Sequence, residues 1–230
     1  MNNIVTYCAD IGSIKRSNFG WYSSKKDCNR GDPRSIVNLA HSIAKSLSDG
    51  SKIALGFECP LFVPVENCPN DLTNARNLSA PHIDKKYEGN RSWSAGAGSY
   101  ALTTGLVEII WILGHVRREL SPIPEIYFNW CNFEKAESGI FLWEAFVTGK
   151  AKKNNKENEH DQHVNDAETA VKCFNRLTDP EKEYPMYNKP VFSLIGAALI
   201  RSGWSANLCY LKQPCLVVIA DNSQPSSNTT

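Results

Sequence analysis

The chain has no CxxC pair. Its eight cysteines, Cys8, Cys28, Cys59, Cys68, Cys131, Cys173, Cys209 and Cys215, are scattered singly, which argues against a structural zinc site. Cys8, Cys131 and Cys173 lie in apolar runs and read as small core residues. The chain also lacks an excess of either charge. A formal net charge of +1 predicts no strong general attraction to nucleic acid, so any such contact has to come from a local patch. No basic segment leads into a long apolar run at the start, so no signal peptide is expected, and no stretch approaches the length of a membrane span. Internal repeats and collagen or coiled-coil patterns are missing too. A cytoplasmic protein with reduced thiols is the resulting expectation.

What remains is an ordinary globular composition, 42% hydrophobic and 21% charged over 230 residues. One domain is expected over 1–220, with insertion loops at about 60–95 and 149–160 and a tail at 221–230 that is disordered by composition. Ile4–Ala9 reads as a strand, and Asn18–Tyr22 as a second. Asp32-Pro33 is an N-cap and N1 pair for a helix whose apolar face is Ile36, Ala40, Ile43, Ala44 and Leu47, closed by Gly50. Lys52–Glu58 is a short buried strand. From Ser99 to Leu120 the period is helical, and Ser121-Pro122 ends it. Glu125–Trp130 and Gly139–Val147 read as strands, and a helix starts near Asp161. Thr178–Lys189 reads as a loop. Phe192–Ile200 fits either a helix or a strand, and Leu208–Ala220 resembles a broken strand pair. Strands alternating with helices predict an α/β fold whose sheet is mostly parallel, with an antiparallel opening hairpin.

Three acids stand where apolar strands usually exclude them. Asp10 ends the first strand, Glu58 ends ALGFE, and Glu144 interrupts IFLWEAFV. A buried carboxylate is costly without a partner, and ligand crevices of open α/β sheets lie at the carboxyl ends of the strands. Asp166 follows His163 by three residues, which places both on one helix face. Converging carboxylates are usually reconciled by Mg²⁺ or Mn²⁺, and two such ions can drive phosphodiester cleavage. His163 would orient a carboxylate or move a proton. Taken singly, each acid also fits a turn, an ion pair or a solvated helix face.

The segments CADIGSIKRSNFGWY, GFECPLFVP, WEAFVTG and HVNDAETA together resemble the ribonuclease H-like superfamily. The first resembles the Asp-x-Gly opening hairpin of Holliday-junction resolvases, and the last resembles their His-x-x-Asp-Ala or Asp-x-x-Asp-Ala helix, with His163 where an acid can stand. The closer resemblance is to ribonuclease H-like families of unknown function, over roughly residues 4–175. It implies a five-stranded mixed sheet, strand two antiparallel, with helices on both faces. It also implies two-metal phosphodiester hydrolysis, with Asp10, Glu58 and Asp166 as ligands and Glu144 as a weaker member of the set.

Further residues extend this expectation to a nucleic-acid substrate, DNA or RNA. Arg76 and Arg91 would clamp a phosphate, and Trp93 would stack on a base. The small-residue run SAGAGS at 94–99 opens a helix, which makes either an anion site or a close-packed helix start; without a terminal Gly-Lys-Ser/Thr it is no Walker A loop. Lys150, Lys152, Lys153 and Lys156 form one local basic cluster. Two other readings keep the fold. One is a catalytically inactive module that binds nucleic acid or protein. The other is an actin-like ATP-binding phosphotransferase, against which stands the lack of a second Asp-x-Gly hairpin.

Overall fold

Residues 4–29, 31–78, 93–147 and 159–220 are described by a computed structural model of the chain, 159–161 in backbone only. In chain order the elements are β1 (Ile4–Asp10), β2 (Gly20–Ser23), α1 (Ile36–Ser48), β3 (Lys52–Glu58), β4 (Phe62–Pro64), α2 (Gly96–Arg118) and β5 (Ile126–Tyr127). There follow α3 (Trp130–Lys135), β6 (Ile140–Val147), α4 (Glu159–Phe174), α5 (Pro180–Glu183), β7 (Val191–Ser193), α6 (Leu194–Arg201) and β8 (Leu216–Ala220). The fold is α/β, with a mixed six-stranded sheet in the order β2-β1-β3-β6-β5 and with β8 also paired to β6. Only β2 runs antiparallel. β5 and β8 share one edge of β6, β5 at residues 140–141 and β8 at 143–147. β4 and β7 form a separate antiparallel pair. The near-continuous apolar runs of β1, β3 and β6 follow from burial on both faces.

Side-chain alternation sorts the helices between those faces. Tyr7 points to α1, where its hydroxyl donates to Ser42 O at 3.0 Å. Thr6, one residue earlier, points the other way and donates to Asn175 at the end of α4. Cys8 and Asp10 share the α4 face with Thr6. Two contacts hold α4 in place. Phe174 stacks on Trp143 of β6 at 4.5 Å, and Gly56, beside Trp143 on β3, leaves room for the indole, because a Cβ there would lie 2.4 Å from it. Near its start α4 lies directly on Gly20, where a Cβ would stand 2.5 Å from the backbone of His163 and Val164.

Several boundaries differ from the sequence expectation. Asp32 does not cap α1: its carboxylate closes a turn on the Arg34 N–H, and Ser35 caps instead, accepting from Asn38 N. The strand expected at Glu125–Trp130 shrinks to two residues because Asn129 caps α3, accepting from Asn132 N. Phe192–Ile200 is neither one helix nor one strand, since Ser193 ends β7 and caps α6 by accepting from Gly196 N. Only the second half of Leu208–Ala220 is strand; Leu208–Lys212 is a 3₁₀ turn. β8 brings the sheet to six strands where the resemblance implied five. By length and composition α2 is apolar enough to cross a membrane, contrary to expectation. Thr103, Thr104 and Glu108 interrupt its apolar run, and its buried side, Ile109, Ile112, Leu113 and Val116, packs among α1 and α6. The tail at 221–230, residues 79–92 of the loop at 60–95 and residues 149–158 of the loop at 149–160 lie outside the described residues.

Candidate metal centre

β1 and β3 run parallel and in phase, so Asp10 pairs with Glu58. Both are the last residues of their strands and both leave the sheet on the α4 face. Asp166 descends from α4 onto the same spot. One carboxylate oxygen from each lies within 4.8 Å of the other two, and all three residues are buried. Cys8 lies beneath them on the same face. Burial pushes its thiol well above the ordinary range, and the charges of Glu58, Asp10 and Asp166 push it further. Three buried acids around one point, all offering oxygen, suit a hard divalent cation such as Mg²⁺ or Mn²⁺.

His163 sits one helical turn before Asp166 and meets Asp10, with Nδ1 2.6 Å from Oδ2. That approach depends on Gly20, the antiparallel partner of Asp10. Gly20→Ala forces α4 away from the sheet. The expected cost is about 1–3 kcal/mol of stability in denaturant unfolding. Any metal-dependent chemistry at the site is expected to fall further, by about a hundredfold, because reacting groups tolerate little misplacement. Normal activity in a folded Gly20→Ala protein would show that the helix position is not critical.

A cavity of about 260 Å³ opens onto Asp10 and Glu58, bordered by Asn18, Ala97, Gly98, Tyr100, Phe146 and His163. Ala97 and Gly98 belong to the first turn of α2, whose N-cap residue, Ala95, makes no side-chain capping bond. Glu108, from the buried side of the same helix, faces the backbone N–H groups of Gly12 and Ile14 in the turn that follows Asp10, and these favour its charged form. Its carboxyl is pushed up to about 7, first by burial and then by the Asp10 charge. Between the ordinary value of 4.5 and about 7 the folded protein keeps a proton that the unfolded chain has lost. The stabilisation from this neutral acid is therefore complete below that window and lost as pH rises through it. Glu108→Gln, which stays neutral, is expected to flatten the fall in urea stability across this range and to be the more stable protein above it. Parallel pH profiles of the two proteins would assign the slope elsewhere.

Glu144 does not join the three acids. Its register partner on β3 is Phe57 and not Glu58, so it is one residue out of phase and leaves on the opposite face. There it meets Arg76 in a two-pronged pair, Nη2–Oε1 at 2.6 Å and Nη1–Oε2 at 2.8 Å. Leu61 N also donates to Oε2 at 2.9 Å. Arg76 packs over the Phe62 ring at 4.6 Å, and both members of the pair are 1% exposed. The pair borders the cavity, but the guanidinium expected to clamp phosphate is committed to Glu144. Trp93 donates its indole N–H to Asn74 O at 3.0 Å and does not border the cavity. Arg91, Lys150, Lys152, Lys153 and Lys156 lie outside the described residues. Asn18, Tyr100 and Phe146 line the cavity without any mark in the sequence pattern, and Glu108 lies outside its lining. Glu108 left one sequence signal, an acid set between Leu106 and Ile109 in an apolar helix.

Comparison with protein-family models, curated proteins and solved structures found no match for this chain. The functional reading therefore rests on the site's own chemistry.

Proposed function

We propose that the chain is a Mg²⁺- or Mn²⁺-dependent nuclease of ribonuclease H-like fold. The convergence of Asp10, Glu58 and Asp166 at the strand ends carries this reading. The antiparallel opening hairpin followed by parallel strands supports the finer fold assignment. Asp10, Glu58 and Asp166 would hold the ions. When bound, such ions supply an activated water and neutralise charge on a phosphodiester. His163 fixes the rotamer of Asp10 and, being partly exposed, exchanges a proton at the cavity. The uncapped N–H groups at the start of α2 offer donors to a phosphate oxygen, and Tyr100 and Phe146 offer faces for a base.

The test is incubation of the purified chain with Mn²⁺ and a panel of single-stranded, duplex and branched DNA and RNA. Cleavage that stops on chelation and in Asp10→Asn is expected. Binding without cleavage in Mn²⁺ across the panel would overturn the nuclease reading in favour of an inactive binding module.

A further inference from the structure

A second cluster of ligating side chains lies away from the three acids, on the seam between α1 and α2. His41 comes from α1. His115 and Glu119 are one turn apart on α2. Glu119 Oε1 stands 3.1 Å from His41 Nε2 and 3.3 Å from His115 Nε2, and one donor atom of each residue lies within 4.8 Å of the others. Two donors held about 2.0–2.1 Å from a tetrahedral zinc are about 3.3 Å apart, so each imidazole already stands from the Glu119 oxygen at the spacing one ion would impose, and a small closure within the 4.8 Å that bounds the cluster brings in the third pair. The ring of His115 is braced by Trp111, stacked at 4.6 Å and 17°, and His41 lies against it at 5.4 Å between ring centres. The cluster opens to solvent, which leaves a fourth position for water.

We propose that His41, His115 and Glu119 form a site for a borderline transition-metal ion of the Zn²⁺ class, which clips α1 to α2. The donor set decides the class. Two imidazoles and one carboxylate favour Zn²⁺, Co²⁺, Ni²⁺ or Cu²⁺, whereas the all-carboxylate centre favours Mg²⁺ or Mn²⁺. Binding moves the proton of each imidazole from Nε2 to Nδ1. On His115 that nitrogen now faces Arg118 Nη2 at 3.0 Å, so the exposed Arg118 side chain turns aside when the ion enters. The ion joins two helices that no covalent link connects, and one of them, α2, also carries Glu108 and the cavity wall at Gly98 and Tyr100.

The experiment is a Co²⁺ titration of the full chain in excess Mg²⁺, followed by absorption, with the exposed thiols of Cys68, Cys131 and Cys209 alkylated beforehand. Wild type is expected to bind one Co²⁺, displaced by Zn²⁺. Even outer-shell changes at metal sites cost 10–100-fold, so His41→Ala and His115→Ala are each expected to bind about a hundredfold more weakly or worse. Asp166→Asn is expected to bind Co²⁺ as wild type does, which separates this site from the carboxylate centre. At Zn²⁺ a hundred times its dissociation constant, the wild-type melting temperature is expected to rise by about 5 °C, with no rise in His41→Ala. Equal Co²⁺ affinity in wild type, His41→Ala and His115→Ala would overturn the proposal and leave the cluster as a hydrogen-bonded surface triad. Loss of cleavage activity alone would bear on the nuclease reading and not on this one.

Discussion

Glu58→Gln is expected to raise the melting temperature of the metal-free protein while removing the Mn²⁺-dependent cleavage proposed for it. Asp10, Glu58 and Asp166 hold carboxylate oxygens within 4.8 Å of one another, and all three residues are buried. At an effective dielectric of about 20, two full charges at that distance repel by about 3 kcal/mol. Shared protons relieve part of this. Neutralising one member is therefore expected to add about 1–2 kcal/mol, or about 2–8 °C for a chain of this size. The same change removes one of the three carboxylates proposed to hold the ions. A loss of about 4 kcal/mol of transition-state stabilisation lowers the cleavage rate about a thousandfold. Mn²⁺ is expected to raise the melting temperature of wild type and to leave that of the variant unchanged. A Glu58→Gln protein that melts lower without metal and cleaves normally would mean that Glu58 is a structural acid.

Arg76→Met is expected to be strongly destabilising. It leaves Glu144 buried without its cation, and breaking one side of such a pair costs about 3–5 kcal/mol, or about 6–20 °C in melting temperature. Replacing both partners, Arg76→Met with Glu144→Leu, is expected to recover most of that loss, since a well-packed apolar pair avoids the desolvation of two charges. Thermal melts of the two single variants and the double variant form the cycle that measures the coupling. The opposite pattern, a normal melting temperature with weakened nucleic-acid binding in Arg76→Met, would restore Arg76 to the phosphate-clamp role that its sequence context suggested.

Much of this architecture was legible because the informative residues break a local pattern. Asp10 and Glu58 are acids at the ends of apolar strands, and Asp166 and His163 share one helix face. Their meeting point follows from parallel, in-phase pairing of β1 with β3, which is the simplest arrangement of two such strands. Glu144 breaks the same kind of pattern, but its meaning depends on register. One residue of phase between β3 and β6 sends it through the opposite face, and no feature of IFLWEAFV fixes that phase. Arg76 lies in a stretch without periodicity, so its route under the sheet to Glu144 left no trace in spacing. Glu108 left a weak trace as a single acid in an apolar helix. The cluster of His41, His115 and Glu119 left only the i, i+4 spacing of His115 and Glu119, because His41 joins them only once α1 packs against α2. The cap of α1 is ambiguous in sequence for a related reason. Asp32 and Ser35 are both good cap residues, and the choice between them turned on which side chain closed the preceding turn.

The most direct test of the metal centre is the count of Mn²⁺ ions bound, read from the electron paramagnetic resonance signal of free Mn²⁺ during titration of wild type and of Asp166→Asn. Asp166 is 1% exposed, and Asn preserves its shape while removing its charge. Wild type is expected to take up Mn²⁺ in competition with Mg²⁺, and Asp166→Asn, folded by circular dichroism, to lose that uptake. Identical Mn²⁺ uptake by the two proteins would contradict a metal centre at these three acids.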